Sequence, residues 1–198
     1  MSTLQVNKIT PSTGTDITLG DSGDTFTIPS GVTLTNNGTV TGIGGTNTPA
    51  FEAKLSLVQS IPDNTGTIVQ FDTEEFDTDS AYNTSTYQFT PQTAGKYYVY
   101  LSIACNAGAD FELADNYAMI VKNGTNIKIS HFNYAGYRIR FSTAVVSAVV
   151  DLNGSTDYIS ARVQGADSSG NLSLGRNEYS TFGAYRIIEW AYWKLIKF

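Results

Sequence analysis

A tyrosine-rich stretch in the middle of the chain constrains the fold more than any other feature of the sequence. Residues 82–105 read YNTSTYQFTPQTAGKYYVYLSIAC, with Pro91 and Gly95 between a short and a long run of aromatic and aliphatic residues. Aromatic and β-branched residues favour strands, and proline and glycine favour the turns between them. The stretch therefore predicts a strand, a turn and a long second strand. Residues 178–188, EYSTFGAYRII, alternate aromatic and small residues and predict a closing strand.

The rest of the chain after residue 50 continues this pattern of short strand-like runs between turn-forming residues. The Asn-Gly pair at 123–124 lies between two apolar runs, which is a strong hairpin signal. No run has a sustained helical period, with residues 189–198 as the one exception. The sequence therefore predicts an all-β fold. The predicted strands are 51–57, 67–71, 86–89, 96–104, 117–122, 127–132, 138–150, 157–163 and 179–187.

The charge balance excludes several classes of partner. The chain carries 12 Lys and Arg against 18 Asp and Glu, a formal net charge of −6, with no run of basic residues. Nucleic acid and anionic membrane surfaces need clustered positive charge, so neither is an expected partner. No apolar run reaches the roughly 18 residues of a membrane span, so membrane insertion is not expected. The opening residues lack the basic start and apolar core of a signal peptide, which predicts synthesis in a cytoplasm.

The first 48 residues have a different composition from the rest. Phe26 is their only aromatic residue, and Thr, Gly, Asn and Asp are abundant. Apolar pairs recur in this segment, with several spacings of six residues; they are Ile17/Leu19, Phe26/Ile28 and Val32/Leu34. Strands with two inward side chains cannot bury a core alone, so they must stack on copies of themselves, along the chain or across chains. We therefore predict a β-rich shaft or anchor at 1–48, a knob at 49–188 and an aromatic extension at 189–198.

Several motifs of the second segment stand in a specific order. They are Ala50-Phe51; 69–72; Phe89, Pro91, Gly95, Tyr97 and Tyr98; 146–152, Gly154 and 158–163; and the closing 182–185, FGAY. This order resembles the jelly-roll module of tumour necrosis factor and the globular head of the first complement component. The resemblance covers about seven tenths of the chain. It implies a homotrimeric jelly-roll sandwich that binds a partner and is not an enzyme.

The long tyrosine strand agrees with a trimer. Residues 96–101, KYYVYL, are apolar or aromatic on both faces, whereas a two-layer sandwich buries only one face of each sheet. A threefold seam would cover the second face. The alternative is that these tyrosines line an ordinary core. The candidates for the trimer core are Phe51, Tyr97, Tyr98, Tyr100, Phe182 and Tyr185.

The opening segment carries a second resemblance. Residues 4–9, LQVNKI, and 23–31, GDTFTIPSG, are similar to the first segments of bacteriophage fibre proteins. This resemblance covers about a quarter of the chain. It implies a virion protein that joins other virion proteins through its N-terminal segment or its C-terminal extension. Its expected location is the virion surface.

Candidate chemical sites are few. The best candidates for a metal are Asp72, Glu74, Glu75, Asp77 and Asp79, whose carboxylates could hold calcium, a hard cation with oxygen ligands. The alternative is a solvated acidic loop, and the same holds for Asp110, Glu112 and Asp115. The single His131 and the single Cys105 cannot form a convincing nucleophile–base pair or zinc site. We expect Cys105 to be a buried inert thiol and no organic cofactor to bind.

The last ten residues, EWAYWKLIKF, are too apolar to remain in water. They contain the docking candidates Trp190, Trp193 and Phe198. They could pack on the shaft, on a neighbouring subunit or on a docking partner. An additional core strand is the alternative.

Together the two resemblances imply a trimeric bacteriophage fibre whose C-terminal knob binds a glycan or protein on the host surface. A capsid decoration protein with the same fold is the first alternative, and a secreted lectin-like module is the second. A depolymerase is a further alternative, although no catalytic pair supports it. The sequence does not name the receptor or the loops that would contact it.

Overall fold

The computed structural model describes most of the chain. The described residues are 9, 13–35, 37, 47–134, 136–168, 170, 172–175 and 179–187. The chain divides into two units, Met1–Gly44 and Gly45–Phe198. Each unit is described by itself.

The second unit is built from strands. The described residues of this unit contain no α-helix. The strands are β1 (Ala50–Lys54), β2 (Gln59–Ser60), β3 (Thr67–Ile68), β4 (Thr73–Asp77), β5 (Tyr82–Asn83), β6 (Gln88–Phe89), β7 (Gly95–Asn106), β8 (Leu113–Lys122), β9 (Thr125–Asn133), β10 (Phe141–Leu152), β11 (Ile159–Asp167), β12 (Ser173–Leu174) and β13 (Thr181–Arg186). The predicted all-β fold is confirmed.

Two antiparallel sheets form a jelly-roll sandwich. In the first sheet the strand order is β2-β12-β7-β13-β1-β4, and β10 pairs with the free side of β7. In the second sheet the order is β5-β6-β11-β8-β9, and β3 pairs with β11. The long strand β7 is therefore central, with β10 on one side and the closing strand β13 on the other. Because β9 and β10 are the last strands of their sheets and contact each other, they form one edge of the sandwich.

Alternation along the strands places one set of side chains between the sheets. Aromatic rings dominate the centre of this core. Phe51 stacks on Tyr82 and Phe89 with ring centroids 4.6 and 4.5 Å apart, and it meets the edge of Phe182 at 5.1 Å. Phe71 adds a further ring against Phe182. The core thus joins both sheets through strands that are far apart in sequence.

A small polar network lies within the same core. The Asn116 side chain is fully buried; its amide donates to the Ser142 carbonyl over 3.1 Å, and its oxygen accepts from the Cys105 thiol over 3.1 Å. The Tyr134 and Ser142 hydroxyls are 2.8 Å apart. Buried polar groups destabilise a fold unless they find partners, and these groups have partners.

The Cys105 thiol is expected to be unreactive in the folded protein. Burial raises the pKa of this thiol to about 12, so the nucleophilic thiolate is scarce at neutral pH. We expect almost no reaction of the native protein with Ellman's reagent, and reaction of one thiol per chain after unfolding in guanidinium chloride. Rapid labelling without denaturant would contradict the buried position.

The apolar pairs of the first unit are exposed in the single chain; they are Ile17, Leu19, Phe26, Ile28, Val32 and Leu34. Residues 13–35 contain turns and bends but no strand. The turns are closed by backbone hydrogen bonds from the Asp24 amide to the Asp21 carbonyl and from the Val32 amide to the Pro29 carbonyl. Stacking of the predicted short strands on further copies of the chain stays a prediction.

Candidate interaction surface

The outer side of the first sheet carries large apolar side chains. The register pairs Tyr98 with Val149 on β10 and with Tyr185 on β13, so these three point to the same side of the sheet. Val145 and Val149 are 62% and 58% exposed, and Tyr185 is 39% exposed. We call this surface the tyrosine face; its members are Tyr98, Tyr100, Tyr185, Val145 and Val149. An apolar surface of this kind on a soluble domain marks an interaction site.

The tyrosines of this face hold one another in place. The rings of Tyr98 and Tyr185 have centroids 5.4 Å apart, and the rings of Tyr98 and Tyr100 are 6.4 Å apart. The Tyr100 hydroxyl donates to a carboxylate oxygen of Glu52 over 2.7 Å. Burial raises the pKa of Tyr100, and the hydrogen bond to Glu52 raises it further, so the hydroxyl stays a donor at neutral pH.

Gly183 allows this arrangement of the Tyr100 ring. A Cβ atom at residue 183 would lie 2.3 Å from two atoms of the Tyr100 side chain. Tyr100 therefore lies flat across the closing strand instead of standing away from the sheet. The glycine in the closing FGAY motif is thus required by the tyrosine face.

The structure corrects half of the trimer-core prediction. Phe51, Tyr97 and Phe182 are fully buried between the two sheets of one chain, so they cannot line a seam between chains. Tyr98, Tyr100 and Tyr185 are on the outer side. The cause is the two-residue period of a strand, which places Tyr97 and Tyr98 on opposite faces.

Exposed apolar side chains also lie along edge strand β9. Ile127, Ile129 and Phe132 are each more than two fifths exposed. Ile129 and Phe132 lie on opposite faces of the strand, so both faces of this edge carry exposed apolar groups. The sequence-based candidates omitted these residues, because no local pattern shows that the strand lies at an edge.

The fold and these surfaces can be compared with known proteins. A sequence profile of the C1q domain matches residues 50–187. The chain belongs to the C1q domain family. Among solved structures, the globular domain of zebrafish complement 1qA aligns with this C1q domain at a TM-score of 0.51 and 13% identity, covering 71% of this chain and 98% of that one. The Eiger tumour necrosis factor of S. frugiperda aligns at a TM-score of 0.52 and 14% identity, covering 71% and 92%.

These structural likenesses concern the fold alone. None of the curated proteins compared with the sequence is detectably similar to it. The jelly-roll resemblance inferred from the motif order is confirmed by the family match.

The carboxylates of the acidic stretch are engaged by protein groups in this C1q domain. Across the described ranges, no three His, Cys, Asp or Glu side chains are grouped so that they could hold a metal ion. The Asp72 carboxylate accepts from the Ser56 amide and hydroxyl, Glu75 pairs with Lys54, and Asp77 accepts from the Tyr82 amide. Because strand β4 alternates its side chains and protein groups bind three of these carboxylates, the single chain does not bring the five together, and calcium binding at 72–79 stays a prediction.

The second acidic cluster is also dispersed. Glu112 accepts from the Ala109 amide over 2.9 Å, and Asp110 lies 3.8 Å from Arg140. Asp115 contacts Nε2 of His131 at 2.8 Å, and the imidazole stacks on Tyr117 with centroids 3.7 Å apart. His131 therefore has the role of a bound structural polar group on a strand face.

Two further predictions concern the C-terminal docking residues and membrane insertion. The docking candidates Trp190, Trp193 and Phe198 lie outside the described residues. Within the described part of the chain, no helix has the length and apolar character that crossing a membrane would require.

Proposed function

We propose that the chain is a homotrimeric binding knob of a bacteriophage virion, in which the C1q domain contacts a host-surface receptor. The tyrosine face is the observation that carries this proposal. Its valines and tyrosines would remain in contact with water in a monomer, and burying them in a seam is favourable at about 25 cal/mol per Å².

The two apolar surfaces support a ring of subunits. A ring of three subunits needs two different surfaces on each subunit, because each contact joins one surface to the other on the next copy. The tyrosine face and the exposed edge of β9 are such a pair. The tumour necrosis factor and complement heads that the sequence resembles are trimers, which sets the expected number of copies at three.

The N-terminal segment supports the virion part of the proposal. Its apolar pairs are exposed in the single chain and repeat with a spacing that suits stacking on further copies. The same segment resembles the opening of bacteriophage fibres. On this proposal residues 1–48 join the knob to other virion proteins, and the protein is located on the virion surface.

Capsid decoration is a second candidate, because a trimer built on the same tyrosine face could equally attach to a capsid through residues 1–48. Neither candidate includes a catalytic step. The only histidine is bound to Asp115 and the only cysteine donates to Asn116, so neither is available as a nucleophile–base pair.

The native mass tests the assembly. Light scattering on the full chain should give the mass of three chains of 21.4 kDa, about 64 kDa. Immunogold labelling of virions with an antibody to the knob then separates the two candidates, because tail labelling favours the fibre and uniform capsid labelling favours decoration. A stable monomer would contradict the trimer, and virions without label would contradict the virion role.

A further inference from the structure

A pocket on the flank of the sandwich shares no lining residue with the tyrosine face or with β9. It lies between the β1–β2 connection, the segment before β4 and the β5–β6 turn. It is lined by Leu55, Leu57, Val58, Gln70, Asp72 and Tyr87, and we call it the flank pocket. We propose that the flank pocket binds a single neutral sugar ring. The inference deepens the proposed function, on which it rests, by naming the chemical class of the receptor.

The size of the pocket limits its ligand. Its volume is about 220 Å³. Pockets that enclose a drug-sized ligand measure about 300–1,000 Å³. The flank pocket can therefore hold one ring or one side chain, and the rest of a larger molecule would extend into solvent.

The polar wall is fixed before any ligand arrives. The two oxygens of Asp72 accept from the Ser56 amide over 2.8 Å and from the Ser56 hydroxyl over 2.5 Å. Partial burial alone would raise the pKa of Asp72, but the hydrogen bonds from Ser56 outweigh it and lower the pKa, so the group is a carboxylate at neutral pH. Gln59 also lines the pocket; its side-chain nitrogen donates to the Ile68 carbonyl over 3.0 Å, and its side-chain oxygen accepts from the backbone amide of Gln70 over 2.9 Å.

The aromatic wall is held in an unfavourable backbone conformation. Tyr87 has a φ of 58°, which is rare for an aromatic residue and often marks a functional position. The turn secures it, because the Tyr87 amide donates to the Asn83 carbonyl over 2.7 Å. The Asn83 side chain also accepts from the amides of Ser85 and Thr86. The Tyr87 side chain is thus held at the pocket by the turn.

This combination matches the surface of a pyranose. A sugar ring has a face of C–H groups, which stacks on an aromatic ring, and a rim of hydroxyls, which donate to carboxylate and amide oxygens. Gln70, which is exposed at the rim, adds an amide donor and acceptor. Leu57 and Val58, both more than half exposed, add apolar contact at the opening.

Other ligand classes fit less well. An anion would meet the Asp72 carboxylate without a lysine or arginine in the lining. A purely apolar ligand would remove water from that carboxylate without replacing its hydrogen bonds. A guanidinium group binds best by contacting both oxygens of a carboxylate at once, and the bonds from Ser56 to both oxygens of Asp72 restrict that contact, whereas a sugar hydroxyl needs only one remaining acceptor position.

Saturation-transfer NMR on the full chain tests the proposal. The probes are glucose, galactose, mannose and N-acetylglucosamine, each alone, and we expect at least one to bind with a dissociation constant of about 1 mM or weaker. Tyr87→Asn removes the ring but keeps the turn, because asparagine tolerates a positive φ. By analogy with bases stacked on aromatic side chains, this variant should bind about tenfold more weakly. Asp72→Asn should also weaken binding.

Tyr137→Asn is the matched control. Tyr137 is 81% exposed and lies in the β9–β10 connection, so its loss should leave sugar binding unchanged. Absence of binding by all four sugars, or undiminished binding to Tyr87→Asn, would overturn the proposal. The proposal would also be overturned if the protein bound tetralysine and none of the sugars, and if Asp72→Asn abolished the binding of tetralysine. A trimer that binds no sugar would refute the flank pocket alone, whereas a monomer that binds sugar through Tyr87 would refute the assembly alone.

Discussion

Phe51→Ala is expected to lower the free energy of unfolding by about 3–5 kcal/mol. Phe51 is fully buried and touches three other rings, those of Tyr82, Phe89 and Phe182. Phe182 belongs to the first sheet with Phe51, whereas Tyr82 and Phe89 belong to the second. A cavity at this position would therefore loosen the contact between both layers. Since a domain is stable by only about 5–15 kcal/mol, such a loss removes a large part of its stability.

Urea denaturation monitored by far-UV circular dichroism measures this effect. All proteins are compared at the same concentration, because assembly adds to the apparent stability. Phe111→Ala is the control. Phe111 is 69% exposed, and its loss should change the free energy of unfolding by no more than about 0.5 kcal/mol. If Phe51→Ala unfolded at the urea concentration of the native protein, the aromatic core described above would be wrong.

Tyr98→Asp is expected to convert the proposed trimer into monomer or aggregate. Tyr98 lies at the centre of the tyrosine face, opposite Val149 and 5.4 Å from Tyr185 between ring centroids. A seam over this face would bury the new carboxylate without a partner, which costs several kcal/mol per ion. Threefold symmetry repeats this cost in every subunit. Tyr185→Asp should have the same effect.

Light scattering measures the change in mass, and near-UV circular dichroism shows whether each chain stays folded. The substitution is on the outer side of the sheet, so the aromatic core should keep its signal. Tyr137→Asp introduces the same charge on an exposed loop and should remain trimeric. Soluble trimers of both Tyr98→Asp and Tyr185→Asp would refute the assignment of the seam.

Much of the strand pattern could be predicted from the sequence. The predicted run 96–104 lies within β7, and 127–132 lies within β9. Long alternating runs can be identified as strands from the sequence alone, because the side chains on one face of a strand share one environment. The two-residue strands, such as β2 and β12, carry no such signal, since only a neighbouring strand makes them strands.

Strand β4 is a longer strand that its own sequence does not predict. Residues 73–77 are mostly acidic and read as a loop or a calcium site. In the fold they pair with β1, and Lys54 on that strand forms an ion pair with Glu75. The hydrogen bonds of the neighbouring strand outweigh the weak strand preference of acidic residues.

The candidate sites depended even more on tertiary structure. Tyr97 and Tyr98 are adjacent and chemically identical, yet one belongs to the core and the other to the tyrosine face. The flank pocket was not predicted, because Asp72 and Tyr87 come from separate segments and meet only when β4 and the β5–β6 turn are placed side by side.

The sequence by itself determined the all-β class, the long strands and the order of motifs that marks the C1q domain. It could do so because turn residues and alternation act over a few neighbouring residues. Only the tertiary structure decided which tyrosines face the solvent, which carboxylates have partners and where a pocket forms. These depend on strands brought together across more than a hundred residues, such as β1 and β13, and no local pattern encodes that pairing.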